Sequence, residues 1–248
     1  MASLAKNEIM SPTPQRICYA RSTVSIVKLN RRQLVTAAGC LVGSSVLAEA
    51  FFLRKRQFKS TLTTLFWVGE PSDADNAFIS NDVSYWDRDW QLNFGGVDDP
   101  FRRKGFWPAD FRPKENPFYV ALPYGEFDAT HGHLLRADAL NIPWYCPGLT
   151  PLLKNHWVEI KRASRTCYAQ WEDVGPYEVD DFEYVFGSAH SPRNTFGLRA
   201  GLDVSPAVWH YLGMDDNDIT DWRFVNAADV PPGPWTGVVT VSGNNRLI

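Results

Sequence analysis

The carboxylate of Asp203 is the side chain in this sequence whose surroundings most suggest chemistry. It stands between two apolar residues, Leu202 and Val204, where solubility alone does not explain a charge. Burial beside apolar neighbours raises the pKa of a carboxylic acid, which can then stay protonated near neutral pH and act as a proton donor. The alternative is structural, because an Asp near a helix start often accepts backbone N–H groups.

The residues after Asp203 predict a short helix entered directly from a strand. Ser205 can cap the helix, Pro206 suits its first position, and Gly213 can end it after about two turns. The strand and the helix together would fix the position of the Asp203 carboxylate.

Short apolar or alternating runs, bounded by Gly, Pro and Asp, predict strands from residue 117 onward. These runs are residues 118–124, 157–162, 166–173, 183–187, 200–205 and 221–226. Their number and spacing favour a mainly β fold, a compact barrel. Residues 51–116 show no sustained helical period and many Gly, Asp and Pro, which predicts an irregular N-terminal extension.

The N-terminal segment has the features of an export signal. Arg31 and Arg32 precede an apolar run over 34–48, which has the length of a signal core and is short for a membrane span, and 48–50 offers a small-residue cleavage site. The Arg pair resembles a twin-arginine signal. The alternatives are an uncleaved anchor over about residues 34–53 and a lipid on Cys40. We therefore expect a periplasmic or secreted protein, with membrane contact only through this segment.

Charge distribution argues against nucleic acid as a partner. Residues 1–56 hold nine of the 25 Lys and Arg but only two of the 28 Asp and Glu, so the rest of the chain has a formal charge of −10. Phosphate backbones would repel such a surface.

Two cysteines, Cys146 and Cys167, lie outside the N-terminal segment. Their spacing would allow a disulfide in an oxidising compartment, and two separate thiols are the alternative. Neither cysteine has the spacing of a zinc site, and no phosphate-binding or redox motif is present. The sequence thus predicts no metal and no cofactor.

Two motifs resemble a known family. Residues 203–207, Asp-Val-Ser-Pro-Ala, are followed by Leu-Gly at 212–213 and a strand, and Asp173-Val-Gly-Pro stands upstream. This arrangement is similar to the six-stranded double-psi β-barrel of the rare lipoprotein A family, which is related to expansins and family 45 glycoside hydrolases. The resemblance covers about residues 117–228. It divides the chain into a signal or anchor (1–50), the extension (51–116), the barrel (117–228) and a C-terminal tail (229–248).

The resemblance implies a role on the cell wall. Family members cleave peptidoglycan as lytic transglycosylases, and expansin-like relatives bind polysaccharide without hydrolysis. It places the catalytic acid at Asp203 and a glutamate at Glu126, and Asp173 is a further candidate. A non-catalytic glycan-binding or structural envelope module is the alternative.

Aromatic side chains could line a glycan groove, because sugar rings present C–H faces that pack on them. The candidates are Trp171, Tyr177 and Trp144, and the alternative for each is a place in the core, where such side chains are more often found.

Overall fold

The computed structural model describes residues 57–242 and 246–247, except 75, 77, 129–133 and 196–198. The expected export signal, its cleavage site and Cys40 lie outside the described residues. Within the described part of the chain, no helix is both long and apolar enough to span a membrane.

Six strands of the described chain close into a barrel that mixes parallel and antiparallel pairs. They are β1 (Lys59–Leu65), β2 (Tyr119–Leu122), β3 (Trp157–Arg162), β4 (Arg165–Val174), β5 (Leu202–Val204) and β6 (Asp218–Val225). Around the barrel the order is β1-β5-β2-β4-β3-β6, with β6 returning to β1. The pairs β1–β5 and β2–β4 are parallel, and the others are antiparallel. The expected mainly β barrel is therefore confirmed.

Five of the predicted strands overlap β2 to β6, but the prediction of a strand at 183–187 is wrong. Helix α2 (Phe182–Val185) forms there instead. Asp181 caps it by accepting a hydrogen bond from the Tyr184 N–H at 3.3 Å. The aromatic and acidic residues alternate as in a strand, but a capping Asp just ahead of them starts a helix.

The remaining barrel strand, β1, comes from the segment that we expected to be an irregular extension. The barrel therefore begins at Lys59 and not at residue 117. The sequence of β1, KSTLTTL, is rich in β-branched Thr, which suits a strand. The many Gly, Asp and Pro residues of the rest of 51–116 hid this strand in the sequence.

Part of the segment between β1 and β2 packs on the outer face of β2. Val120 and Leu122 point into the barrel core, whereas Tyr119 and Ala121 belong to a second cluster with Phe66, Val68, Trp90 and Phe94. Helix α1 (Trp90–Phe94) supplies part of this cover. A buried ion pair between Arg103 and Asp98, with Asp98 accepting from the Tyr119 hydroxyl at 2.9 Å, fastens the segment.

Helix α3 (Pro206–Leu212) confirms the helix expected after Asp203. Ser205 is its cap, and Gly213 ends it in the left-handed conformation with φ of 68°. The shorter strands and 3₁₀ turns are Arg103–Lys104, Trp107–Pro108, Phe127–Asp128, Leu134–Leu135, Ala137–Asn141, Leu149–Thr150, Ala227–Asp229, Pro234–Thr236 and Arg246–Leu247. The C-terminal segment joins the core through the buried Trp235, which packs edge-on against Phe118.

Candidate carboxylate site

Asp203 lies in a row of residues that crosses four adjacent strands. It pairs with Thr64 on β1 and with Ala121 on β2, and Ala121 pairs in turn with Asp173 on β4. Leu202 is fully buried in the barrel core, so Asp203 points to the outer face, because side chains alternate along a strand. Two strand spacings put the Cα atoms of Asp203 and Asp173 about 10 Å apart.

A β-bulge brings Asp173 to the same face as Asp203. Val120 pairs with Trp171 and Ala121 pairs with Asp173, so Glu172 is an extra residue in β4. Trp171 points into the core. Without the extra residue, Asp173 would share that inward face, since residues two apart in a strand point the same way. The bulge therefore turns a core-facing position into a cleft-facing one.

The two aspartates open onto a surface cleft of about 360 Å³. Its floor is built from small residues: a Cβ on Gly175 would lie 3.4 Å from Asp203 Oδ2 and 3.9 Å from the Ala121 Cβ. Glu70 and Tyr177 also line the cleft. Tyr177 is 38% exposed, and its backbone has φ of 61°, a conformation that is uncommon for a non-glycine residue.

Asp203 has the electrostatics of a proton donor. Burial raises its pKa to about 7, and a hydrogen bond from the Thr64 hydroxyl opposes this increase. The negative charges of Glu70 and, less strongly, Asp173 raise the pKa further. A carboxylic acid with such a pKa keeps its proton for part of the time at neutral pH.

Asp173 has a similarly raised pKa, and hydrogen bonds hold both its carboxylate and its backbone. Burial raises its pKa to about 7, while a hydrogen bond from the Tyr85 backbone N–H, 2.7 Å from Oδ1, favours the ionised form. The indole N–H of Trp171 donates to the Asp173 carbonyl at 2.7 Å. These contacts fix both the backbone and the carboxylate of Asp173.

Glu70 enters the cleft from the turn after β1. Burial raises its pKa to about 6, and the side chain of Asn81, whose Nδ2 donates to Oε2 at 2.7 Å, opposes the increase. The charge of Asp73, which also lines the cleft, adds slightly to the raised pKa.

The capping role considered for Asp203 belongs to another residue. The Ser205 hydroxyl accepts the hydrogen bond from the Val208 N–H at 3.3 Å and donates to the Pro117 carbonyl at 2.7 Å. The side-chain partner of Asp203 is Thr64, on a neighbouring strand. Asp203 is therefore directed toward the cleft and not toward the start of the helix.

Glu126, the third expected catalytic residue, lies elsewhere. It is fully buried, and its oxygens accept hydrogen bonds from the Trp86 indole at 2.9 Å and from the Leu152 N–H at 2.8 Å. Burial raises its pKa. Glu126 does not line the cleft, and its contacts tie two loops together.

Of the three aromatic candidates, one lines the cleft and two do not. Tyr177 lines the cleft, whereas Trp171 is fully buried in the barrel. Trp144 stacks on His156 with ring centroids 4.1 Å apart and donates to the Leu152 carbonyl at 2.7 Å. Trp67, which the sequence did not single out, also lines the cleft.

The two cysteines, both among the described residues, are not joined by a disulfide. The Cys167 thiol is completely buried, and burial raises its pKa well above the usual value. Cys146 is partly exposed. The alternative of two separate thiols therefore describes this structure.

Sequence reasoning missed Thr64 and Glu70 because it missed β1, which positions both. One signal was available: Glu70 directly follows a Gly at the end of a β-branched run, where a turn after a strand would place a polar side chain at the barrel edge.

No protein-family model matches this sequence, and no curated protein matches it significantly. Among the described residues, no group of three or more His, Cys, Asp or Glu side chains is arranged to hold a metal ion.

Proposed function

We propose that this protein is an exported cell-envelope protein of the rare lipoprotein A-like class, which cleaves peptidoglycan or a related polysaccharide with Asp203 as the proton donor. One observation carries the proposal: Asp203 faces a cleft that it shares with Asp173 and Glu70, instead of capping the helix that follows it.

The strand order supports a double-psi barrel. If the first three barrel strands are exchanged with the last three, the circular order β1-β5-β2-β4-β3-β6 is unchanged. The same exchange interconverts the parallel pairs β1–β5 and β2–β4. A barrel with this internal twofold relation and two parallel pairs is what the double-psi topology requires.

In the proposed reaction, protonated Asp203 donates its proton to the glycosidic oxygen as the bond from that oxygen to the anomeric carbon breaks. The positive charge that develops on the sugar ring is stabilised by the ionised carboxylates nearby. The raised pKa of Asp203 supports this role, because a general acid must hold its proton at the working pH.

Asp173 is the proposed proton acceptor. The Tyr85 N–H holds its carboxylate in place. Inverting hydrolysis needs about 6.5 to 9.5 Å between the two carboxyl groups, and two strand spacings put the Cα atoms of the two aspartates about 10 Å apart. Water would add to the anomeric carbon and give its proton to Asp173. In a lytic transglycosylase, a hydroxyl of the same sugar takes the place of water and loses its proton in the same way.

The decisive experiment incubates the purified protein with peptidoglycan sacculi and with a plant polysaccharide, and separates released fragments by mass. We expect fragments from the wild type. We expect Asp203→Asn and Asp173→Asn to slow release by about 10² to 10⁴, the usual value of general acid or base catalysis. Asp215→Asn, an exposed aspartate outside the cleft, is the matched control.

The fragments also identify the reaction, because a new reducing end indicates hydrolysis and an anhydro sugar indicates transglycosylation. If no fragments appear but the protein sediments with one glycan, the non-catalytic binding module is correct. If it neither cleaves nor binds, the proposal fails and a structural role is left.

A further inference from the structure

The bulge that turns Asp173 into the cleft has its own buried contact. The Lys154 ammonium lies 3.5 Å from the carboxylate of Glu172, the extra residue, and both side chains are 2% exposed. Lys154 also donates to Ser242, at 3.0 Å to the hydroxyl and 3.3 Å to the carbonyl. The Ser242 hydroxyl donates to Glu115 at 2.6 Å.

The backbone around Lys154 is tied to the same place in β4. The Asn155 N–H donates to the Trp171 carbonyl at 2.9 Å, and the Trp171 N–H donates to the His156 carbonyl at 2.8 Å. The side chain of Lys154 thus contacts Glu172, the extra residue. The backbone of Asn155 and His156 holds Trp171, which precedes Glu172. This segment defines where the additional residue is inserted.

The buried contact between Lys154 and Glu172 is better explained by an effect on strand register than by an effect on stability. Removing two polar groups from water costs about as much as their attraction returns, so a buried pair adds little net stability. Register in a sheet, however, decides which face each side chain occupies. Here the choice of register decides whether Asp173 faces the cleft or the core.

We propose that Lys154 and Glu172 are positioning residues, which fix the bulge in β4 and thereby hold the Asp173 carboxylate in the cleft opposite Asp203. This inference rests on the proposed function only for its effect on turnover. The placement of Asp173 can be tested whether or not the protein cleaves glycan.

The test compares a variant that removes the contact with one that keeps it. Lys154→Met together with Glu172→Met removes both polar groups and leaves neither partner unpaired. Glu172→Gln keeps the length of the side chain and its oxygen acceptor. The exposed pair Arg102 and Asp110, changed to Met and Asn, is the control for loss of an ion pair.

The first measurement is the titration of the Asp173 carboxyl carbon by NMR, assigned by its loss in Asp173→Asn. In the double variant we expect the pKa of Asp173 to rise by about one unit or more, because a carboxylate that turns toward the core is more deeply buried and loses the hydrogen bond from the Tyr85 N–H. Glu172→Gln and the surface control should titrate as the wild type does.

The second measurement is turnover of the glycan, where a misplaced base should lower kcat on the order of 10- to 100-fold and leave KM nearly unchanged. A folded double variant with an unchanged Asp173 titration would overturn the inference. If that variant does not fold, Glu172→Ala decides in the same way, because Lys154 keeps its contacts with Ser242. If the wild type cleaves no glycan, the proposed function is refuted. The titration of Asp173 would still decide whether Lys154 and Glu172 position that carboxylate.

Discussion

Asp203 and Asp173 face one cleft from strands that are not neighbours, with Ala121 on the strand between them. The methyl side chain of Ala121 is what keeps the space between the two carboxylates open. Asp203 could not be replaced by a neighbour in sequence, because Leu202 and Val204 point into the core. The arrangement has consequences for stability, for electrostatics and for binding, each of which can be measured.

Asp203→Asn should stabilise the protein at alkaline pH. The pKa of Asp203 is raised from its ordinary 3.8 to about 7 in the folded state. Its contribution to stability is thus fully present below about pH 4 and is lost as the pH rises through 7. The neutral amide escapes this loss. Urea unfolding should show that the variant gains, relative to wild type, on the order of 1 kcal/mol or more between pH 4 and pH 8.

The control for this experiment is Asp215→Asn, which removes an exposed carboxylate outside the cleft. Equal pH profiles for Asp203→Asn and the wild type would contradict the raised pKa.

Glu70→Gln should lower the pKa of Asp203. The charge of Glu70 raises the pKa of Asp203 more strongly than that of Asp173 does, and removing a like charge favours the ionised form. Titration of the Asp203 carboxyl carbon by NMR should shift to lower pH. Asp82→Asn, an exposed aspartate outside the cleft, should leave it in place, and an upward shift with Glu70→Gln would refute the assignment.

Tyr177→Ala should weaken glycan binding about fivefold, because a sugar that packs on the exposed ring gains about 1 kcal/mol from an aromatic contact. Tyr177→Phe keeps the ring and should bind as the wild type does. Binding is best measured by sedimentation or calorimetry in the Asp203→Asn background, so that turnover does not interfere. Equal affinity of the Ala and Phe variants would exclude Tyr177 from the binding surface.

Glu126→Gln should affect stability more than turnover. The amide keeps the size of the side chain but can accept only one of the two hydrogen bonds, from Trp86 and from Leu152. An unsatisfied buried donor costs about 1 to 3 kcal/mol, which thermal unfolding should reveal. Turnover per folded molecule should change by less than about tenfold. A variant of normal stability that loses 100-fold in kcat would show that Glu126 acts in catalysis.

Local patterns predicted the parts of the fold whose signals are local. The helix at Pro206–Leu212 has its cap, its proline and its terminal glycine within nine residues, so its bounds follow from the sequence. β3, Trp157–Arg162, alternates apolar and polar residues and was equally clear. In contrast, the helix at Phe182–Val185 depends on a single capping contact by Asp181. The aromatic and acidic residues alternate there as in a strand, so the sequence did not reveal the helix.

The candidate site was predicted only in part because its assembly depends on register. The sequence shows that Asp203 is an acid among apolar residues, but nothing near Asp173 reveals that Glu172 is an extra residue. Glu70 and Thr64 depend on β1, which closes the barrel from more than 100 residues away. Glu126 matched a family pattern, but its distance from the cleft depends on how two loops pack.

The early start of the barrel limits how far the cleft could move if the N-terminal segment were retained as an anchor. An anchor ending near residue 53 would leave only residues 54–58 before β1. A fully extended chain of that length spans at most about 18 Å. An anchored form would therefore keep the barrel close to the membrane surface, whereas cleavage after residue 50 would release the protein from the membrane.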